Sequence, residues 1–148
     1  MSPELRALYQ EVIVDHGRHP RNFGPMPEAT HMLEGYNPLC GDKLKLFLLV
    51  DNDIITAVKF EGTGCAISMA SASLMSQQMQ GKSLQEAKQL FQYFHAMIVD
   101  GATPDSHLGK LSILEGVKEF PSRVKCATLA WHTLQNALEG KNEVAVTE

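Results

Sequence analysis

Apolar and polar residues alternate along the middle of the chain. Lysine and leucine alternate over residues 43–46, and Leu48 and Val50 continue the apolar series. A second apolar run covers residues 55–60. A period of two is typical of strands that bury one face. Asp51-Asn52-Asp53 between the runs is typical of a tight hairpin turn, so we predict an antiparallel pair. Residues 32–36 are expected to add a third strand.

The first predicted helix starts with the signal Ser2-Pro3-Glu4 and ends near Gly17, because glycine readily adopts the left-handed conformation of a helix end. Its apolar residues recur at three- and four-residue steps, which places them on one face. They are Leu5, Leu8, Tyr9, Val12 and Ile13.

Three further helices are predicted after the strands. The small residues Ala70, Ser71, Ala72 and Ser73 lead into the first, which ends near Gly81 and can pack close to the sheet. Ser83 and Glu86 match the capping box of the next, which runs to about Val99. The last starts at Pro121-Ser122 and stops at Gly140.

Three segments lack a clear period. The loop that runs to about Thr30 carries a positive cluster within residues 18–25, which fits either an anion site or a solvated connector. Glycines and a proline break residues 100–120 into short apolar pieces, so we expect an irregular insertion that covers the body. The tail, residues 141–148, is expected to be frayed.

Composition restricts the class of protein. With 148 residues, 44% of them apolar and 20% charged, the chain fits one globular domain, residues 1–148. A net charge of −4 and the absence of a basic run argue against nucleic acid or an anionic membrane as the partner. The polar start and the lack of an apolar run of about 18 residues predict neither a signal peptide nor a membrane span, so we expect a cytoplasmic protein.

The candidate chemistry lies in three cysteines and one aspartate. Cys40 and Asp42 flank Gly41 in a turn before a predicted strand, Cys65 lies at a strand-to-helix junction, and Cys126 lies near the start of the last helix. An odd number of cysteines argues for free thiols or metal thiolates over a disulfide framework.

These four side chains are candidate ligands of one metal, because zinc binds four thiolate, imidazole or carboxylate groups tetrahedrally. The exposed N–H groups of a helix start should favour the thiolate form of Cys126. No CxxC pair is present. Spacing therefore also leaves open three inert buried thiols, with Asp42 as a turn residue.

Motifs around all three cysteines add a family resemblance. They are Asp15-His16 with Pro20-Arg21-Asn22, Asn37-Pro38-Leu39-Cys40-Gly41-Asp42, Gly64-Cys65-Ala66-Ile67-Ser68 with Ala70-Ser71 and Ser73, and Lys125-Cys126-Ala127 with Leu129-Ala130-Trp131. This series resembles the NifU N-terminal/IscU-like family of iron-sulfur cluster assembly proteins. The resemblance implies an α+β fold, with a small three-stranded antiparallel sheet, helices packed on one face and the metal site at one end. It also implies that Cys40, Asp42, Cys65 and Cys126 bind one metal.

Two departures from the housekeeping scaffold branch of that family favour its SufU branch. The housekeeping branch has a Leu-Pro-Pro-Val-Lys segment, which its chaperone reads, and a histidine before the third cysteine; here the sequence is Phe120-Pro121-Ser122-Arg123-Val124-Lys125. Residues 100–120 also lengthen the separation between the second and third cysteines. Members of the SufU branch bind zinc through three cysteines and an aspartate and accept sulfur from a cysteine desulfurase.

The resemblance therefore implies a zinc-dependent sulfur carrier that takes persulfide sulfur from a SufS-type cysteine desulfurase. Cys40 is the expected acceptor, because Gly41 beside it makes the turn mobile and the branch points to it. Cys126 is the second choice, and Arg123 is the expected supporting charge. The sulfur would pass to apo iron-sulfur proteins or to a downstream scaffold.

Two other functions remain open for the same ligands. In the first, the chain is a scaffold on which iron and sulfur form a [2Fe-2S] cluster that is passed to apo-proteins. In the second, a structural zinc ion only folds the domain. Thiolate-rich sites accept zinc or iron-sulfur clusters, so the ligands do not separate the carrier from the scaffold.

Overall fold

The computed structural model describes residues 3–147. The elements in chain order are α1 (Pro3–Arg18), β1 (His31–Asn37), β2 (Asp42–Asp51), β3 (Ile54–Thr63), α2 (Ala66–Met79), α3 (Leu84–Ile98), a 3-10 stretch (Ser106–Glu119), α4 (Pro121–Leu138) and β4 (Ala145–Val146). The predicted cap Ser2, the side chains of Leu5 and Leu8 and the last residue of the tail lie outside what is described. Over residues 3–147, no helix combines the length and the apolar character that crossing a bilayer requires.

Strands β1, β2 and β3 form the predicted antiparallel meander. β1 pairs with β2 from His31↔Leu48 to Asn37↔Asp42, and β2 pairs with β3. Asn52 and Asp53 have φ values of 51° and 61°, as a two-residue hairpin turn of the favoured type requires. The predicted hairpin and third strand are therefore confirmed. This register brings the end of β1, the start of β2 and the end of β3 together at one end of the sheet.

Residues 145–146 of the C-terminal tail form a fourth strand, so the prediction of a frayed tail is wrong for this part. β4 pairs in parallel with β1 at Gly35 and Tyr36, which gives the strand order β3-β2-β1-β4. Ala145 and Thr147 are buried, and the Thr147 hydroxyl donates to the Lys125 carbonyl over 3.2 Å. The sheet thus has four strands and one parallel pair, where three antiparallel strands were predicted, because the open edge of β1 offers backbone partners to the tail.

Helix α2 lies at the centre of the helical layer and is buried along most of its length. Close packing against the sheet was predicted for its small residues, and they also let α4 approach closely. The Ser71 hydroxyl donates to the carbonyl of Ala127 on α4 over 2.6 Å and accepts from the Trp131 indole over 3.1 Å. The capping box of α3 is also confirmed, since the side chain of Ser83 and that of Glu86 each bond the other residue's backbone.

Most of residues 100–120 are not the irregular insertion that was predicted; only residues 100–105 and Phe120 lack regular structure. Residues 106–119 form the 3-10 stretch, which is kinked at Gly109, where φ is 53°. Four of its side chains are buried in the main core, namely Leu108, Leu111, Leu114 and Val117. A three-residue spacing suits the three residues per turn of a 3-10 helix, so this segment is part of the body.

The loop after α1 is tied to α2 through the polar side of that helix. The Arg21 guanidinium forms an ion pair with Asp15 at 2.6 Å, and the Arg21 backbone N–H donates to the Ser73 hydroxyl over 2.8 Å. The buried ring of His16 also contacts that hydroxyl, with 2.7 Å between Nδ1 and Oγ. These bonds favour the connector interpretation of the positive cluster, because the Arg21 charge already has a partner.

Candidate metal centre

Three of the four predicted ligands meet at the end of the sheet. Cys40 lies in the turn between β1 and β2, Asp42 is the first residue of β2, and Cys126 lies in the second turn of α4. One ligand atom from each of them lies within 4.8 Å of the other two. The Cys126 and Cys40 sulfurs are 3.3 Å apart. Gly41, with φ of 72°, lets the turn bring Cys40 and Asp42 to one point.

The fourth predicted ligand, Cys65, lies beside this group. Its backbone N–H donates to Asp42 Oδ1 over 2.9 Å, but its sulfur is not within 4.8 Å of all three ligand atoms. That sulfur caps α2 instead, because it accepts the Ser68 backbone N–H over 3.4 Å. Ligation by Cys65 stays a prediction.

Exposure differs sharply between the ligands. Cys40 is exposed, Cys65 is half-buried and Cys126 is buried. Asp42 has no accessible surface. A molecule that approaches this end of the sheet therefore reaches the Cys40 sulfur first.

Two residues to which the sequence interpretation gave no role complete the surroundings of Asp42. Asn37 is buried, and its Nδ2 donates to Asp42 Oδ2 over 3.1 Å and to the Cys126 sulfur over 3.5 Å. A Cβ atom on Gly64 would lie only 2.5 Å from Asp42 Oδ1. The strand pattern did contain a signal, since alternation from Leu33 places Asn37 on the buried face, where an amide needs partners.

The protonation of Cys126 follows its burial and not its place near a helix start. Burial raises the pKa of the Cys126 thiol, and hydrogen bonds with Cys40, Asp42 and Cys65 raise it further. The prediction that the helix start favours a thiolate is therefore wrong for the protein without metal. Cys126 lies one turn past the free N–H groups of the helix, and the removal of water has the larger effect.

Arg123 supplies the positive charge beside these sulfurs. The interaction with Cys126, followed by those with Cys65 and Cys40, raises the pKa of the Arg123 guanidinium. The guanidinium is thus placed toward the sulfur side of the site. The Asp42 oxygens, for their part, accept from the Cys65 N–H and the Asn37 amide.

The donor set fits zinc. Two sulfurs and a carboxylate oxygen are ligand types that zinc takes in tetrahedral sites, with Zn–S distances of about 2.3 Å. Such distances correspond to sulfurs about 3.8 Å apart, and the two sulfurs here are 3.3 Å apart. A small outward shift of the exposed Cys40 side chain removes that difference. The same thiolates also suit an iron-sulfur cluster.

Comparison with known proteins gives consistent matches over most of the chain. Residues 8–127 match the family described as "NifU-like N terminal domain". The chain is 42% identical to the zinc-dependent sulfurtransferase SufU of Bacillus subtilis (strain 168), covering 93% of this chain and 96% of that protein. It is 38% identical to the iron-sulfur cluster assembly scaffold protein IscU of Streptococcus pyogenes serotype M1, covering 92% and 86%.

Solved structures show the same fold. A crystal structure from Fervidobacterium islandicum AW-1, described as a candidate iron-sulfur cluster assembly scaffold protein for the SUF system, has a TM-score of 0.83 at 40% identity. The match covers 90% of this chain and 98% of that chain. The NifU-like protein (N-terminal) of Brucella abortus reaches a TM-score of 0.81 at only 18% identity, which shows the fold alone. The predicted α+β class, with helices packed on a small sheet, is confirmed.

Proposed function

Because this chain belongs to the NifU-like N-terminal domain family, we propose that it is a zinc-bound sulfur acceptor, which takes persulfide sulfur from a cysteine desulfurase for iron-sulfur cluster assembly. One observation carries this proposal. The exposed Cys40 thiol lies beside the buried ligand atoms of Asp42 and Cys126. A relative that aligns with this chain over 96% of the relative's length is named a zinc-dependent sulfurtransferase. The predicted metal ligands are Cys40, Asp42, Cys65 and Cys126.

The transfer is an exchange between thiol and persulfide. When bound, zinc keeps its cysteine ligands in the thiolate form at neutral pH. The Cys40 sulfur, as a thiolate, attacks the terminal sulfur of the persulfide on the desulfurase. A bond forms between these two sulfurs, the sulfur–sulfur bond of the donor breaks, and the donor cysteine leaves as a thiolate. One sulfur–sulfur bond replaces another, so no outside oxidant is needed.

Accessibility favours Cys40 over Cys126 as the acceptor. An in-line attack on a partner's persulfide needs a sulfur that the partner can reach, and Cys40 is exposed whereas Cys126 is buried. We assign Arg123, which is exposed and interacts with Cys126, the role of stabilising negative charge on the sulfurs during transfer.

The second candidate is a scaffold that assembles a [2Fe-2S] cluster on the same thiolates. Relatives named IscU scaffold proteins match most of the chain, which is the observation in its favour. The residue before Cys126 is Lys125, where the housekeeping branch has a histidine, and this favours the carrier. In either case we propose that the whole chain acts as one unit and passes its cargo to apo iron-sulfur proteins or to a downstream scaffold.

The acceptor assignment is tested by loading the protein with sulfur. Wild type and the variants Cys40→Ser, Cys65→Ser and Cys126→Ser are incubated with a cysteine desulfurase and cysteine, and bound persulfide is measured by mass spectrometry. We expect Cys40→Ser to lose persulfide on the intact protein, and wild type in catalytic amounts to raise desulfurase turnover. Normal loading of Cys40→Ser would show that the acceptor is a different cysteine.

Metal analysis separates the functions. The protein is purified with and without oxygen, and zinc and iron are measured in both samples. The carrier should hold zinc under both conditions. Tightly held iron without zinc in the anaerobic sample would favour the scaffold, and bound zinc with no effect on desulfurase turnover would favour a structural metal.

A further inference from the structure

Asn37 contacts two of the proposed ligands and the turn that carries a third. We infer that Asn37 is a positioning residue of the metal site, which holds Asp42 and Cys126 in place and leaves Cys40 free to move. This inference rests on the proposed function. Asn37 is the last residue of β1 and has no accessible surface, so its amide must find all its partners inside the protein.

The hydrogen bonds of Asn37 fix the orientation of its amide group. Nδ2 donates to Asp42 Oδ2 over 3.1 Å and to the Cys126 sulfur over 3.5 Å, and Oδ1 accepts the Leu39 N–H over 3.2 Å. The opposite orientation would place Oδ1 against a carboxylate oxygen and the NH₂ group against an N–H donor. All three contacts therefore agree on one orientation, in which both donor hydrogens point toward metal ligands.

Asparagine suits this position because it offers two donors and no charge. A buried carboxylate and a buried thiolate each need hydrogen-bond donors once water is excluded. A lysine there would compete with the metal for the same anions, and an aliphatic residue would leave the ligands without donors. The groups that bond the ligands of a metal site fix their orientation, and their loss usually weakens metal binding.

The third bond of Asn37 sets where the mobile part of the site begins. By accepting the Leu39 N–H, the Asn37 side chain holds the start of the turn in an Asx conformation. Beyond that point Leu39 is 65% exposed, Cys40 is exposed and Gly41 has φ of 72°. Cys40 is thus attached to a fixed base through a short exposed segment, whereas Asp42 and Cys126 are held by the amide itself.

The test compares Asn37→Ala with Thr133→Val. Thr133 lies on α4 against Gly35 of β1, is buried, and donates its hydroxyl to the Leu129 carbonyl over 2.8 Å. The control thus removes a buried polar group from the same β1–α4 contact without touching a ligand. Zinc affinity is measured by competition with a chelator, the ligand geometry by the visible spectrum of the Co²⁺-substituted protein, and folding by denaturant unfolding without metal.

We expect Asn37→Ala to bind zinc about 10- to 100-fold more weakly, as is usual when a group that orients metal ligands is lost. Its Co²⁺ spectrum should change, while Thr133→Val keeps the wild-type affinity and spectrum. If Asn37→Ala does not fold, Asn37→Ser is measured in the same way and should also lose affinity, because one hydroxyl hydrogen cannot serve both Asp42 and Cys126.

Two results overturn the inference and leave the proposed function intact. Wild-type zinc affinity and Co²⁺ spectrum in the Asn37 variant would show that the amide only stabilises the fold. An equal loss of zinc affinity in Thr133→Val would show that any weakening of the β1–α4 contact lowers the affinity, whether or not it involves Asn37. A wild-type protein that binds neither zinc nor Co²⁺ would instead contradict the proposed function itself, and the inference would fall with it.

Discussion

Replacing Gly64 by alanine should weaken both the fold and the metal site through one collision. A Cβ atom at this position would lie 2.5 Å from Asp42 Oδ1 and 3.1 Å from its Cγ. The φ angle of Gly64 is not positive, so its backbone conformation does not by itself disfavour alanine. Asp42 cannot swing away cheaply, because it is fully buried and both its oxygens are hydrogen-bonded.

The size of the effect can be worked out from the overpacking at Asp42 and the hydrogen bond that Asp42 would lose. Forcing an extra methyl group into a packed interior costs about 1–3 kcal/mol. Loss of the 2.9 Å bond from the Cys65 N–H to the carboxylate costs a similar amount, about 1.5–3 kcal/mol for a charged acceptor. One displacement causes both losses, so they do not add, and we expect the free energy of unfolding without metal to fall by about 2–3 kcal/mol.

Metal binding should enlarge the difference in unfolding free energy between Gly64→Ala and wild type. If the displaced carboxylate weakens zinc binding 10- to 100-fold, as changes around metal ligands usually do, excess zinc stabilises the variant by about 1.4–2.7 kcal/mol less than wild type. Denaturant unfolding with and without zinc measures both parts. Gly116→Ala is the control, because nothing lies within 4 Å of the Cβ position there. Equal unfolding free energies and zinc affinities for Gly64→Ala and Gly116→Ala would refute the reasoning.

Two further predictions concern the fold. Leu114→Ala in the 3-10 stretch should lower the free energy of unfolding by about 2–5 kcal/mol, because Leu114 is fully buried; calorimetry that shows little loss would restore the insertion interpretation. Burial lowers the pKa of His16, helped by the Arg21 charge, so the unfolded chain takes up a proton that the folded protein resists as the pH falls below about 6.5. Stability should therefore decrease on acidification from there, and His16→Gln should flatten this slope in unfolding measured across the range.

Local patterns in the sequence were enough to predict most of the fold. The alternation in β2 and β3, the two turn residues Asn52 and Asp53, and the Ser83 cap each act within a few neighbouring residues, so short windows contain the signal. β4 could not be found this way. It has two residues and exists because the edge of β1, more than a hundred residues earlier in the chain, offers it partners.

The sequence predicted which side chains would come together at the site better than it predicted the residues around them. The motifs indicated which cysteines and which aspartate to bring together, and Cys40, Asp42 and Cys126 do meet. Two features of the surroundings depend on distances between elements of the fold. The Cys65 side chain caps α2, and Gly64 is needed because Asp42 lies against it. Sequence spacing contains no such distances, and the same is true of the burial that raises the pKa of Cys126.

The division of the site into fixed and movable parts follows from these contacts. The proposed sulfur acceptor has to expose one sulfur while the other ligands retain the metal, so we infer that one ligand is mobile. The motif from Asn37 to Asp42 contains both kinds of residue. Its two ends are buried and bonded to each other over 3.1 Å, and only the turn between them, with Cys40, reaches solvent. Because the two ends hold each other, movement of Cys40 need not disturb Asp42, and the carboxylate can stay in place during the transfer we propose.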